Sequence, residues 1–245
     1  MKASESNPNY PSKVREMTNY TIREIKKVCK DIGPRPSGEE NERKAQDYVA
    51  DSMSKVADSV AKEKFELHPK AFMGWVPLDV ILMTISVILT LLSYFDVLPS
   101  ASTAFSVVSV VLTSLAIIFT FFEFLLYKKF LDPFFPKRET YNVVCTRKAA
   151  GETKRRIVFS GHIDSAYEWY FTHLGGGKLL TTMIALAFGA IAITLAASIV
   201  SFFDVPNGVR VTAIVVLFVC LIPILMCSKF VNWKLCVPGA NDNLT

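Results

Sequence analysis

Four apolar runs interrupt an otherwise polar chain, and they come in two pairs. Trp75 to about Phe95 and Ala104 to Tyr127 form the first pair, parted by the polar stretch Asp96 to Thr103 with Pro99. Leu179 to Phe203 and Val211 to about Met226 form the second, parted by Asp204 to Gly208 with Pro206. The runs of the first pair reach the roughly 20 residues needed to cross ~30 Å of hydrocarbon. A soluble helix of that length should show a polar face, and these runs read as apolar all round. The pattern therefore predicts four transmembrane helices in two hairpins. Asp79 and Glu123 lie near the ends of their runs, which predicts placement among lipid headgroups. Pro223 is expected to kink the last span.

The polar segments read differently. Val14, Met17, Ile22, Ile25 and Val28 fall near helical spacing and predict an amphipathic helix from Val14 to about Asp31. Gly33-Pro34-Arg35-Pro36-Ser37-Gly38 must end it, because prolines and glycines do not extend a helix. A second helix is expected from Glu39 to about Ala57, with Ala45, Tyr48, Val49, Met53 and Val56 on one face. Val60 to Leu67 alternates and suits an edge strand. Tyr141 to Lys148 reads as a strand, Ala149 to Glu152 as a turn, and Arg156 to Ser160 as another strand. The continuous run Ile157-Val158-Phe159 is what a strand covered on both faces would show.

These elements predict an α/β fold, a mostly parallel mixed sheet interrupted by two transmembrane α-hairpins. The expected organisation is a disordered lead over 1–12 and a first part of the soluble domain over 13–72. Hairpins follow over 73–130 and 179–228, around a central soluble part over 131–178, with a closing loop over 229–245. An even number of crossings returns the chain to one side each time, so three soluble pieces can assemble into one domain. Lys62, Lys64, Lys70, Lys128, Lys129, Lys137, Arg138, Lys178, Lys229 and Lys234 flank the spans on that side. The opposite turns carry Asp96 and Asp204 with Arg210. Cations collect on the cytoplasmic face, so a cytoplasmic soluble domain is expected on a multi-pass integral membrane protein.

Composition supports a lipid bilayer partner. Hydrophobic residues are 51% and charged residues 20% of the chain, against about 25% charged in ordinary soluble domains. The net charge of +5 is not gathered into a basic stripe with aromatics, which argues against nucleic acid. The five cysteines are scattered without a CxxC pair, so they read as isolated thiols in a reducing compartment. No secretory leader is expected from the polar start of the chain.

Two short motifs carry candidate chemistry. Ile157 to Ser165 ends in Gly161-His162-Ile163-Asp164, with His162 and Asp164 on one face if the backbone is extended. Asp164 could bind a metal beside His162, or accept the other imidazole N–H and fix the tautomer. Val237-Pro238-Gly239-Ala240-Asn241-Asp242-Asn243 permits a tight backbone approach and would project Asp242 as a hard oxygen ligand. Taken with Gly33 to Gly38 and Tyr141-Asn142-Val143-Val144, the ordered motifs resemble the M28 family of zinc aminopeptidases. That resemblance covers about residues 14–70, 140–168 and 236–245.

The resemblance implies a pair of Zn2+ ions, with His162 ligating one, Asp242 bridging both and Asp164 acting on His162 as the orienting catalytic carboxylate. It implies a peptide substrate and a membrane-anchored metallopeptidase acting on N-terminal residues. In that family a Glu-Glu pair, an Asp and a His follow the bridging Asp. None can be placed before Thr245, so an inactive fragment is expected, lacking the later ligands and the general base. The alternative is a catalytically inactive peptidase-like binding module on a membrane anchor. Gly175-Gly176-Gly177-Lys178 lacks the spacing of a phosphate loop and reads as a flexible lead into the third span. His68 and His173 read as surface residues, and Arg35 as a structural ion-pair partner.

Overall fold

The structure, a computed structural model, describes residues 9–239. The chain forms two compact units that alternate along the sequence. Unit 1 gathers the residues up to Pro69 with Lys137–Tyr167 and the stretch from Trp233. Unit 2 holds Lys70–Pro136 and Glu168–Asn232.

In unit 1, α1 (Tyr10–Lys27) carries Pro11 in its first turn, where a missing N–H costs nothing. It starts four residues before Val14 and passes through a π turn, Val28–Ile32, to Gly33. Val14, Met17 and Ile22 stay exposed while Val28 is buried. Helix α2 (Glu40–Ser54) buries Glu42, Ala45 and Gln46, whereas Met53 and Val56 remain outside. The polar pair is drawn inward by hydrogen bonds to Thr140, described below. Strands β1 (Ser59–Leu67) and β2 (Arg138–Thr146) pair antiparallel, from Ser59 opposite Thr146 to Leu67 opposite Arg138. Lys64 bonds Glu139 across that ladder at 2.6 Å. The short strands β3 (Tyr167–Trp169) and β4 (Val231–Cys236) make a second two-stranded sheet.

The expected parallel mixed sheet of an α/β fold is overturned. Helices dominate, and both sheets are small, two-stranded and antiparallel. Residues 156–160 form no strand, and Ile157, Val158 and Phe159 are 74%, 79% and 92% exposed. A strand buried on both faces needs ladder partners and covering helices. Among the described residues β1 pairs with β2 and β3 with β4, and residues 156–160 pair with neither sheet.

Unit 2 is helical: α3 (Ala71–Gly74), α4 (Val76–Tyr94), α5 (Ser102–Phe119), α6 (Tyr170–Val200) and α7 (Asn207–Met226). A π turn, Thr120–Leu125, extends α5. Helix α7 continues through Pro223. Gly175 and Gly176 leave helical geometry inside α6, and Gly176 has φ +64°, so the three-glycine run breaks the helix ahead of its apolar body. Among the described residues four helices are long and apolar enough to cross a membrane, and the chain is a multi-pass membrane protein.

These helices do carry a polar stripe, contrary to the sequence reading, but it faces inward. Helix α4 turns Ser86, Thr90 and Ser93 into the bundle and exposes Ile81, Ile85 and Ile88. Helix α5 buries Ser106, Ser109 and Thr113 and exposes Val107, Val108, Val111 and Leu115. Water would favour the reverse, whereas lipid accepts the apolar exterior. The seam residues repeat at steps of three and four, the spacing of a left-handed helix pair. Their hydroxyls interlock: Ser86 lies 2.6 Å from both Ser109 and Thr113, and Thr90 lies 2.6 Å from Ser109 and 2.8 Å from Ser198 of α6. Further along the seam Ser93 meets Ser106 at 3.0 Å, and Ser106 meets Ser201 at 2.7 Å. Asp79 lies in the first turn of α4 and Glu123 in the π turn that ends the second span. Both are buried; Thr120 donates to Asp79 Oδ2 at 2.7 Å, and the Leu131 N–H donates to Glu123 Oε1 at 2.6 Å.

Candidate functional site

The loop Gly33–Gly38 folds back because glycine stands at each end with positive φ, +79° at Gly33 and +74° at Gly38. Gly38 also packs against Arg138, whose Cβ would lie 2.6 Å from any added Cβ. No other residue type fits there without strain. The turn aims Arg35 into unit 1, where it is fully buried (0% exposed).

The Arg35 guanidinium is the hub of the site. Its Nε donates to the Ile163 carbonyl at 2.9 Å and its Nη1 to the Gly33 and Pro238 carbonyls at 2.9 and 3.3 Å. Its Nη2 donates to the carbonyl of Gly239, the last described residue of the chain. The backbone repeats the clasp: Arg35 N–H donates to Ser165 Oγ at 2.9 Å, and Ser165 N–H donates to the Arg35 carbonyl at 2.9 Å. Val237 N–H donates to the Ala166 carbonyl at 2.9 Å, and the Cys29 thiol to the Pro238 carbonyl at 3.1 Å. Three segments far apart in sequence, 33–38, 163–166 and 236–239, thus share one set of bonds. Arg35 was expected as a structural ion-pair partner, and the bonds it makes here go to main-chain carbonyls. Only guanidinium offers several donors in one rigid plane, which explains why arginine stands there.

Asp164 is held from two sides. Ser37 Oγ donates to its Oδ2 at 2.5 Å, and His162 Nδ1 lies 3.0 Å from its Oδ1 and 3.1 Å from its main-chain carbonyl. With Nδ1 as the donor, the imidazole carries its lone pair on Nε2, the arrangement of a metal-ligating histidine backed by a carboxylate. The His162 side chain is well exposed and that of Asp164 half-buried. The Asp164 carboxylate thus stands against Nδ1 of His162.

The residues present fit a zinc ligand set in part. An imidazole nitrogen fixed by a carboxylate is a standard donor. Among the described residues no group of three or more His, Cys, Asp or Glu side chains gathers as a metal cluster. Asp242, the second ligand expected from the sequence, lies outside the described residues.

Behind the loop, Glu42 Oε2 accepts from the Gly38 N–H and from Thr140 Oγ1, both at 2.7 Å, while Gln46 Nε2 donates to Thr140 Oγ1 at 2.8 Å. Burial pushes the Glu42 carboxyl above its ordinary range, against the lowering effect of those two bonds. Burial likewise raises the Cys236 thiol, which rests on Ser165 Oγ at 3.3 Å and is correspondingly unreactive. All five cysteines are free. His173 lies 3.5 Å from Glu168 in unit 2. Sequence reasoning missed the parts of Ser37, Glu42, Thr140 and Ser165. The available signal was an arginine between two prolines inside a glycine-bounded loop. No family model matches the chain, and no curated protein or solved structure matches it.

Proposed function

We propose that the chain belongs to a membrane-bound zinc metallopeptidase of aminopeptidase type, with His162 and Asp242 as metal ligands and Asp164 as the carboxylate that orients His162. The observation that carries the reading is the Arg35 clasp. It ties the His162–Asp164 loop and the strand end leading toward Asp242 to one guanidinium. From Gly239 the chain has three residues to reach position 242, about 10 Å at full extension.

The chain's own residues would act as follows. Ser37 holds Asp164, Asp164 accepts the Nδ1–H of His162, and Nε2 is thereby kept as a lone-pair donor. Arg35 and the Ser165 backbone fix the spacing between the two ligand loops. Bound zinc would supply Lewis acidity toward a peptide carbonyl. Unit 1 would lie on the cytoplasmic side, a reading supported by the lysines and arginines that flank the spans.

Metal analysis of the full chain tests the site. His162→Ala and Asp242→Ala should each lower bound zinc, and full zinc retention in both variants refutes the assignment. Protease added to right-side-out vesicles should leave unit 1 intact; its digestion there would reverse the orientation.

A further inference from the structure

Within unit 2 a second feature stands apart from the zinc reading and does not rest on it. At the end of the bundle that holds the start of α4 and the π turn after α5, a cavity of about 80 Å³ opens between the helices. Met73, Trp75, Phe124, Ala187, Phe188 and Ile224 are among the side chains lining it, together with Asp79 and Thr120. Asp79 is only 7% exposed, and its Oδ1 is buried with no hydrogen-bond partner. Among the described residues its carboxylate meets only the Thr120 hydroxyl, through Oδ2.

An unpartnered carboxylate oxygen in an apolar cavity is costly, and proteins keep such groups where a ligand or ion completes them. We infer that this cavity binds an amphiphile with an apolar body and a protonated amine head, the ammonium bonding to Asp79 Oδ1. The apolar lining sets the body. The acceptor without a donor sets the head, and an ammonium both supplies the hydrogen bond and neutralises the charge, which a hydroxyl does not. A carboxylate or phosphate head would be repelled.

The probe is a bromine-tailed dodecylamine titrated into the full chain in nanodiscs of neutral lipid, read by quenching of Trp75, which lines the cavity. The quenching should saturate, vanish in Trp75→Phe, and need at least tenfold more amine in Asp79→Asn. Ala187→Phe fills the cavity while keeping the carboxylate and should abolish the saturable component. The matching alkanoate should quench only in proportion to its partitioning into lipid. Equal titrations of the native chain and Asp79→Asn overturn the proposal, as does a bromine-tailed dodecanol that binds as tightly as the amine. Should Asp79→Asn fail to fold, saturable binding that survives in Ala187→Phe overturns it alone.

Discussion

Replacing Arg35 with lysine keeps the positive charge and removes the planar fork, which separates the two things arginine provides. The native guanidinium reaches the carbonyls of Gly33, Ile163, Pro238 and Gly239. A single ammonium cannot serve acceptors on opposite sides, and we expect it to keep about half of those bonds. Each bond to a charged donor contributes about 1.5 kcal/mol at the low end of its range, so the loss is about 3 kcal/mol. Folded domains hold only about 5–15 kcal/mol in total, so the variant should fold but open locally. Hydrogen exchange followed by mass spectrometry reads this at two amides of the clasp, Ser165 N–H and Val237 N–H. A loss of about 3 kcal/mol corresponds to exchange faster by roughly 150-fold at those amides. Peptides from α4 and α5 serve as internal controls and should not change. Exchange at Ser165 and Val237 within about threefold of native, a shift under ~0.7 kcal/mol, would refute the view that the guanidinium organises the three segments.

Other contacts make their own demands. Asp164→Asn leaves the shape of the side chain but weakens the acceptor facing His162 Nδ1, so zinc affinity should fall about 10- to 100-fold; unchanged affinity by competition with a chelating dye removes Asp164 from the orienting role. Ser109→Leu forces a large side chain into the α4–α5 seam, where Ser109 touches Ser86, Thr90 and Ser198. It should destabilise the bundle by well over the ~0.6 kcal/mol of an average interhelical hydrogen bond in lipid, while Ser109→Ala should cost about that much, both read by steric trapping. Glu42 has its carboxyl raised by burial, so the folded form binds the proton more tightly than the unfolded chain. Its stabilising share is complete below the ordinary carboxylate value of 4.5 and declines as pH rises through the raised folded value. Glu42→Gln should therefore gain on the native protein in unit 1 melting temperature as pH rises from about 4 to 7, and parallel profiles would count against this.

The membrane spans were legible because length and apolarity suffice to define them, and the turns at Asp96 and Asp204 separate them cleanly. The inward seam was not seen as such, because serine and threonine are only mildly polar and an average over the run hides them. Read at steps of three and four, Asp79, Met83, Ser86, Thr90 and Ser93 already trace one side of α4. The antiparallel pairing of β1 with β2 fits the alternation of Val60 to Leu67. Residues 156–160 misled for a definite reason: Ile157-Val158-Phe159 states a preference for extended backbone, but a strand is a pairing, and sequence does not reveal whether a partner edge is present. The approach of His162 to Asp164 was legible from their spacing of two. Arg35 was read as an ion-pair partner, since nothing local shows that carbonyls from residues 163 and 239 converge on it.

The two units meet a common difficulty in the same way. Among the described residues of unit 1 the buried apolar side chains are few, Val28, Ala45 and Cys236, beside buried Arg35, Glu42, Gln46, Thr140 and Ser165. In unit 2 lipid surrounds helices whose outer faces are apolar, so burying those faces against one another gains little. Neither setting lets the hydrophobic effect choose one arrangement over its neighbours, because apolar contact is non-directional. Directional bonds must choose instead. In unit 1 the guanidinium fork and the Glu42–Thr140–Gln46 chain fix the loops that carry His162 and Asp164; in unit 2 interlocked hydroxyls fix the helix register. A hydrogen-bond network of this kind sets geometry sharply and is intolerant of a missing member. It follows that conservative changes at Arg35 or Ser109 should disturb position more than they disturb folding, and that Asp79, whose Oδ1 has no bond within such a network, is a carboxylate with an acceptor to offer in the bundle cavity.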